Sequence, residues 1–99
     1  YTERIRREAE YYVGDYYKRI DSLDLSEKHF LNSEAISRIV DKENESGFLV
    51  NTLLYLGEIN DLKGNRSKAI KYYKEVLDLD EYGNSHSKAN RYIKSPYKK

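Results

Sequence analysis

Hydrophobic and charged positions recur with a helical period in the first segment of the chain. Its apolar side chains are separated by three or four residues: Ile5, Ala9, Tyr12, Tyr16, Ile20 and Leu23. This spacing predicts the buried face of an α-helix, because most of the positions between them are charged. Gly14 interrupts the run. Since glycine costs about 1 kcal/mol relative to alanine inside a helix, it predicts a close packing contact or a bend.

A second helix is predicted after a short break. The sequence Asp24-Leu25-Ser26-Glu27 is typical of a capping box, in which the Asp24 side chain accepts a hydrogen bond from a free backbone N–H and Glu27 reaches back. The apolar stripe of this helix contains Leu31, Ala35 and Ile39, flanked by Ile36 and Val40. The polar stretch 41–47 has no apolar period, so the helix is predicted to end within it.

The third predicted helix runs from Phe48 to about Leu62 and has the widest apolar face in the chain. That face contains Leu49, Val50, Leu53, Leu54, Leu56 and Ile59. Lys63-Gly64 is predicted to end the helix, because glycine readily adopts the left-handed conformation that a helix end needs.

Two shorter helices are predicted to follow. Asn65 or Ser67 can cap the first of them. Its apolar positions are again three and four residues apart: Ala69, Ile70, Tyr73, Val76 and Leu77. The last helix is predicted from about Ser85 to Ile93, and Pro96 stops it.

One part of this pattern is similar to a known repeat. The positions Leu53-x-x-Leu56-Gly57-x-x-Asn60, then Gly64, then Ala69-x-x-x-Tyr73, resemble a tetratricopeptide (TPR) repeat. Three positions depart from the family pattern, which favours Trp, Tyr and Pro where this chain has Leu53, Asn60 and Glu81. Gly57 and Ala69 predict a close approach of two antiparallel helices, because both residues are small.

The resemblance implies an all-α fold of TPR-like antiparallel helical hairpins, with about five helices in a right-handed stack. Residues 46–83 form the TPR repeat, and 84–99 form a C-terminal capping helix and basic tail. Residues 1–45 are either a degenerate TPR-like hairpin or an unrelated helix pair, because Leu23 stands one TPR period before Gly57. The final segment is similar to the C-terminal ends of some bacterial TPR proteins. A chain that starts at Tyr1 without Met is expected to be a piece of a longer protein.

Charge and composition narrow the classes of function. Lys and Arg total 18 and Asp and Glu total 17, whereas nucleic-acid binders usually have a clear basic excess. The segment 84–99 has cations and no anion, so it is either a solvated tail or a contact for an acidic partner. No apolar run reaches the roughly 20 residues of a membrane span, so no membrane insertion is expected. The absence of cysteine fits a cytoplasmic or a bacterial envelope location equally.

Candidate catalytic and metal-binding patterns are weak. His29 and His86 stand in different predicted helices. The sequence Asp78-x-Asp80-x-Tyr82-Gly83 starts like a calcium loop, but Tyr82 and Ala89 occupy positions that need oxygen ligands. No phosphate-binding loop, serine elbow or HExxH motif is present. We therefore expect no enzyme activity, no cofactor, no metal and no small-molecule substrate.

The resemblance implies a non-enzymatic protein–protein interaction scaffold for a peptide or protein partner. In TPR arrays the first helix of each pair lines a groove, and the implied partner-binding residues are Asn51, Leu54, Tyr55, Glu58, Asp61 and Leu62. Their chemistry favours an apolar or basic segment. Two alternatives stay open. The first is that the chain is a structural or self-association (homo-oligomer) region of a larger envelope or enzyme protein. The second is that it contacts nucleic acid through the tail 88–99.

Overall fold

Five helices account for most of the chain. The computed structural model describes residues 2–41 and 47–99. The helices are α1 (Thr2–Arg19), α2 (Leu23–Val40), α3 (Gly47–Leu62), α4 (Arg66–Leu77) and α5 (Ser85–Lys94). Each helix packs on the next one, and α3 also contacts α1 and α5. The all-helical prediction and its five helices are confirmed, whereas the predicted junction at 42–46 lies outside the described residues.

The core is built around α3. Ten of its 16 residues are buried, so it contributes to the packing on several sides. One cluster joins α3 to α4 and α5 through Val50, Leu53, Tyr73, Val76 and Ala89, and a second joins it to α2 through Phe30, Leu56 and Ile59. None of the helices in the described ranges is long and apolar enough to cross a membrane.

Gly57 makes the close contact between α3 and α4. A Cβ atom at this position would lie only 2.4 Å from a ring atom of Tyr73. The close packing contact predicted at Gly57 is confirmed, but the group nearest to Gly57 is the Tyr73 ring and not the Ala69 methyl group that the sequence placed opposite it. Ala69, the other small residue of the motif, is fully buried in the same hairpin.

The helix termini agree only partly with the sequence. Gly64 has a φ of +84°, the left-handed conformation expected after α3, and Asn65 occupies the N-cap position of α4. The predicted capping box is wrong, because α2 begins at Leu23 with Ser22 in the N-cap position. The Glu27 side chain accepts hydrogen bonds from Asn60 and Lys63 of the α3 end instead of bonding to its own helix start.

The predicted core stripe of α1 is wrong. Ile5, Tyr16 and Ile20 keep 57%, 58% and 51% of their surface exposed. The side of α1 that packs on the rest of the molecule instead contains Arg7 and Gly14, which are buried, and Tyr11 and Lys18, which are largely buried. Periodicity identified an apolar face correctly, but most of that face points away from α2 and α3, while its Tyr12 ring reaches Phe48 at the start of α3.

The predicted stripe of α2 is also wrong, although Ile36, expected beside that stripe, is buried. Leu31 and Ile39 are exposed, whereas the buried residues of α2 are Ser26, Phe30, Ser33, Ile36 and Ser37. Serine is small, so it allows the helices to approach, and its hydroxyl finds a partner across the interface. Ser26 donates a hydrogen bond of 2.7 Å to the carbonyl of Gly14. The Phe30 ring lies 3.0 Å from where a Gly14 Cβ would be, which confirms the close contact predicted at that glycine.

Candidate protein-interaction site

The surface of α3 between α1 and α5 is the candidate site, and its open end is aromatic. A cavity of about 330 Å³ is lined there by Tyr11, Tyr12, Gly47, Phe48 and Asn51, and we call it the aromatic pocket. The rings of Tyr11 and Tyr12 meet Phe48 edge to face, with centroids 5.2 and 6.2 Å away. This arrangement offers ring faces and edges for contact with an apolar group.

The buried side chain of Arg7 packs against the Phe48 ring of the aromatic pocket. The Arg7 guanidinium lies 4.6 Å from the centroid of the Phe48 ring, a distance typical of a cation–π contact. Arg7 also forms a buried ion pair with Asp41, and its Nη1 donates to the Ser37 hydroxyl at 3.4 Å. Because a buried charge needs a partner, these contacts fix the Arg7 side chain, on which the Phe48 ring packs.

The residues predicted to face a partner lie in different environments. Asn51 is partly exposed and belongs to the aromatic pocket. Leu54 is buried in the core shared with α4 and α5, so it supports the surface from inside. Tyr55 is half-buried against Phe30, 5.5 Å between ring centroids. Leu62 is partly buried near the end of α3.

Glu58 forms a buried ion pair with Lys18. The Lys18 ammonium lies 2.8 Å from a carboxylate oxygen of Glu58, and both side chains are almost fully enclosed. Burial raises the pKa of Glu58 more than the nearby cations Lys18, Lys88 and Arg91 lower it. Burial opposes the charge of Lys18, but Glu58 and Tyr97 raise its pKa. The Glu58 carboxylate is thus matched by charge within the chain.

Asp61 is a centre of hydrogen bonds at the other end of the surface. Its side chain accepts from the Arg66 guanidinium at 2.9 and 3.0 Å and from the Tyr73 hydroxyl at 2.7 Å. The backbone N–H of Tyr97 donates to the same carboxylate at 2.9 Å. Burial and the bond to Asp61 raise the pKa of Tyr73 above its ordinary value. Arg66 also donates to the carbonyls of Tyr92 and Ile93 and so caps the end of α5.

The C-terminal tail crosses this end of the surface. The Lys18 ammonium lies 5.0 Å from the centroid of the Tyr97 ring and 5.2 Å from that of Tyr55. Beyond it, the Lys99 ammonium forms an ion pair with Asp21 in the turn between α1 and α2. Residues 96–99 therefore connect α5 with α1, and they close the surface at Asp61 while the aromatic pocket stays open.

Basic side chains line a separate cavity on α5. It has a volume of about 470 Å³, and its lining residues are Asn84, Ser87, Lys88 and Arg91. The two cations have spacing i and i+3, so they lie on one side of the helix. This cavity is polar, in contrast to the aromatic pocket.

The two histidines make ordinary structural contacts. His29 lies 2.9 Å from a carboxylate oxygen of Glu10, and its ring stacks on Tyr17. The His86 ring nitrogen lies 2.7 Å from the Leu79 carbonyl oxygen. In the part of the chain that the structure describes, no group of three or more potential ligands could hold a metal ion.

Sequence reasoning missed Lys18, Arg66 and Tyr97, which complete the candidate site. Each comes from a different element, so no local spacing connects them with α3. Comparisons with family models, curated proteins and solved structures find no match for this chain. The resemblance to a TPR repeat therefore rests on the residues of α3 and α4.

Proposed function

We propose that this chain is a non-enzymatic protein-interaction scaffold that binds an extended segment of a protein partner along α3. The observation that carries the proposal is the open aromatic pocket, which three aromatic rings and the partly exposed Asn51 amide line. Rigid aromatic side chains bring a large contact area at a low entropy cost, which makes them frequent anchors of protein interfaces.

The pocket has complementary features for an extended segment. The rings of Tyr11, Tyr12 and Phe48 suit one apolar side chain. The Asn51 side chain offers both a hydrogen-bond donor and an acceptor, so it can pair with the backbone N–H and C=O of the same segment. The Phe48 ring already packs on Arg7 in the free protein. A pocket that is formed before binding lowers the entropy lost when a partner associates.

The charges along the surface change the kind of charge that is expected on the partner segment. Glu58 is paired with Lys18, and Asp61 is bonded to Arg66 and Tyr97, so neither carboxylate is available to attract a basic segment. Lys88 and Arg91 of the α5 cavity are better placed than these carboxylates to attract a charged partner, and the charge that they attract is negative. We therefore propose an apolar anchor residue accompanied by acidic residues, which keeps the apolar part of the apolar or basic segment expected from sequence and replaces the basic part.

Selection from a random displayed-peptide library, followed by affinity measurement, tests this function. Peptides that bind the immobilised chain are synthesised, and their dissociation constants are measured with the wild type, Asn51→Lys and Asn90→Lys. Asn51 lines the pocket, whereas Asn90 is exposed on α5, so the two variants add the same side chain at different places. We expect Asn51→Lys to weaken binding at least about tenfold and Asn90→Lys to have little effect.

Two results would contradict the proposal. One is a selection that yields no peptide with measurable affinity for the wild type. The other is equal binding by the wild type and a correctly folded Asn51→Lys variant. Circular dichroism of both variants verifies the fold.

A further inference from the structure

The outer face of α1 is an exposed apolar stripe. It contains Ile5, Ala9, Tyr12, Val13, Tyr16 and Ile20, which recur along one side of the helix. In the described part of the chain, all the exposed large hydrophobic residues lie on α1, on α2 or in the turn between them. A continuous apolar surface of this kind usually marks a contact with another protein surface.

We propose that this stripe is the interface between two copies of the chain. In the dimer, α1 of one copy packs antiparallel to α1 of the other about a twofold axis near Val13. A twofold interface uses the same patch on both subunits, so the patch must be complementary to itself. The proposal does not rest on peptide binding. Tyr12 belongs to both the stripe and the aromatic pocket, whereas Tyr16 and Ile20 lie outside the pocket and can be changed without altering its lining.

The positions along the stripe satisfy this requirement. The point midway between Ile5 and Ile20 falls next to Val13. An antiparallel pair centred there places Ile5 of one copy on Ile20 of the other and the small Ala9 on the large Tyr16. Small residues opposite large ones allow two helices to interdigitate, which is how helix surfaces pack.

The charges beside the stripe favour the same arrangement. Glu8 and Arg19 are exposed and stand eleven residues apart, which is almost a whole number of helical turns, so they share one edge of the stripe. The point midway between them also falls next to Val13. An antiparallel pair therefore brings Glu8 of each copy to Arg19 of the other, because its twofold axis places the same edge of both helices side by side.

Arg19 is free to take part. It already forms an exposed bond of 2.9 Å with Asp15 on its own helix, and its side chain remains 77% exposed. The guanidinium has five N–H donors, so it can bond Asp15 and a second carboxylate at once. Two such pairs, related by the twofold axis, would flank the apolar contact.

Sedimentation equilibrium over a range of concentrations tests the proposal. The wild type is expected to dimerise. Tyr16→Arg is expected to raise the dimer dissociation constant at least about tenfold, because it places two cations inside the apolar contact. Tyr16 is exposed, so the monomer should keep its helicity. Asn90→Arg adds the same side chain on α5, away from the stripe, and should dimerise like the wild type.

Charge reversal tests the pairing itself. Glu8→Arg and Arg19→Glu should each weaken the dimer, and the double variant should recover it, because its charges are again opposite across the axis. A wild type that stays monomeric up to about 1 mM would overturn the proposal and assign the stripe to a different helical surface. A dimer that Tyr16→Arg does not weaken, or a double variant no better than its parents, would also overturn it. Tyr16 lies outside the aromatic pocket, so the Tyr16→Arg monomer should still bind the selected peptides, which separates failure of the dimer from failure of the proposed function.

Discussion

Gly57 determines how closely α4 can approach α3. Its missing side chain leaves room for the Tyr73 ring, which is fully buried and bonded through its hydroxyl to Asp61. The glycine therefore carries a helix-propensity cost that the packing of one aromatic residue offsets. Gly14 is a second glycine of this kind, because the Phe30 ring packs against the backbone of α1 at that position.

Gly57→Ala is expected to lower the free energy of unfolding by about 1–3 kcal/mol, because the added methyl group would displace the Tyr73 ring. Gly47→Ala is the matched control on the same helix. A Cβ there would meet Tyr82 at an ordinary distance of 3.5 Å, so this variant should be neutral or slightly stabilising. Urea denaturation of the two variants measures the difference, and equal stability would disprove the packing role of Gly57.

The sequence predicted the close contact at Gly57 because a glycine inside a helical pattern needs a packing reason. It could not predict the partners of Asp61. Arg66 stands on α4 and Tyr97 in the tail, so both reach Asp61 only after α4 and α5 have folded back. At the residue scale, local conformational cost is visible in a sequence, whereas a contact between distant residues is not.

At the scale of elements, α1 and α2 are joined through polar contacts as well as through the Phe30 ring. Serine hydroxyls replace large apolar side chains along α2, and Glu10 binds both His29 and Asn32 across the interface. These bonds, together with the charges of His29 and Arg6, lower the pKa of Glu10 although burial works in the opposite direction. The ionised form of Glu10 is therefore favoured in the folded protein.

This lowered pKa gives a signed prediction for acid stability. A carboxyl group whose pKa is lower in the folded state stabilises the protein above its unfolded pKa, and that contribution is lost as the pH falls through the folded value. We expect the wild type to lose stability below the ordinary glutamate value of 4.5, and Glu10→Gln to lose less over the same range. Thermal unfolding across acidic pH measures this slope. Glu81→Gln, at an exposed position, should keep the slope of the wild type.

Periodicity predicted all five helices but assigned the wrong faces of α1 and α2 to the core. A pattern of apolar residues shows that a face avoids water, and it does not show which surface covers that face. On α3 and α4 the apolar face was correctly predicted to be buried, because those helices are enclosed by neighbours within the chain. On α1 the apolar face is the exposed one, and the internal contacts use Arg7, Tyr11 and Lys18.

At the scale of the whole molecule, the tail joins the two ends of the helix stack. Tyr97 packs against Tyr92, 5.2 Å between ring centroids, and bonds to Asp61. The candidate surface is consequently closed on one side by the chain's own residues. The location of the pocket at the opposite end was only partly predictable, since Asn51 was expected to face a partner and the contributions of Tyr11, Tyr12 and Phe48 were not.

Truncation after Ser95 is expected to lower the free energy of unfolding by about 1–2 kcal/mol, because it removes the Tyr97 backbone bond to buried Asp61. Removal of Lys98 and Lys99 alone should have a smaller effect, since the pair of Lys99 with Asp21 is exposed. Chemical denaturation of both truncated chains compares them with the full chain. A tail that could be removed without loss of stability would contradict its role in joining α5 to α1.

The bonds around Asp61 also affect local opening of the fold. A ten-residue helix such as α5 is marginal alone, and its last turn would ordinarily fray. Here Arg66 holds the carbonyls of Tyr92 and Ile93, and it is held in turn by Asp61. Because these carbonyls are bonded to Arg66, we expect the last turn of α5 to open, and its amide protons to exchange with solvent, more slowly than in an isolated helix of this length.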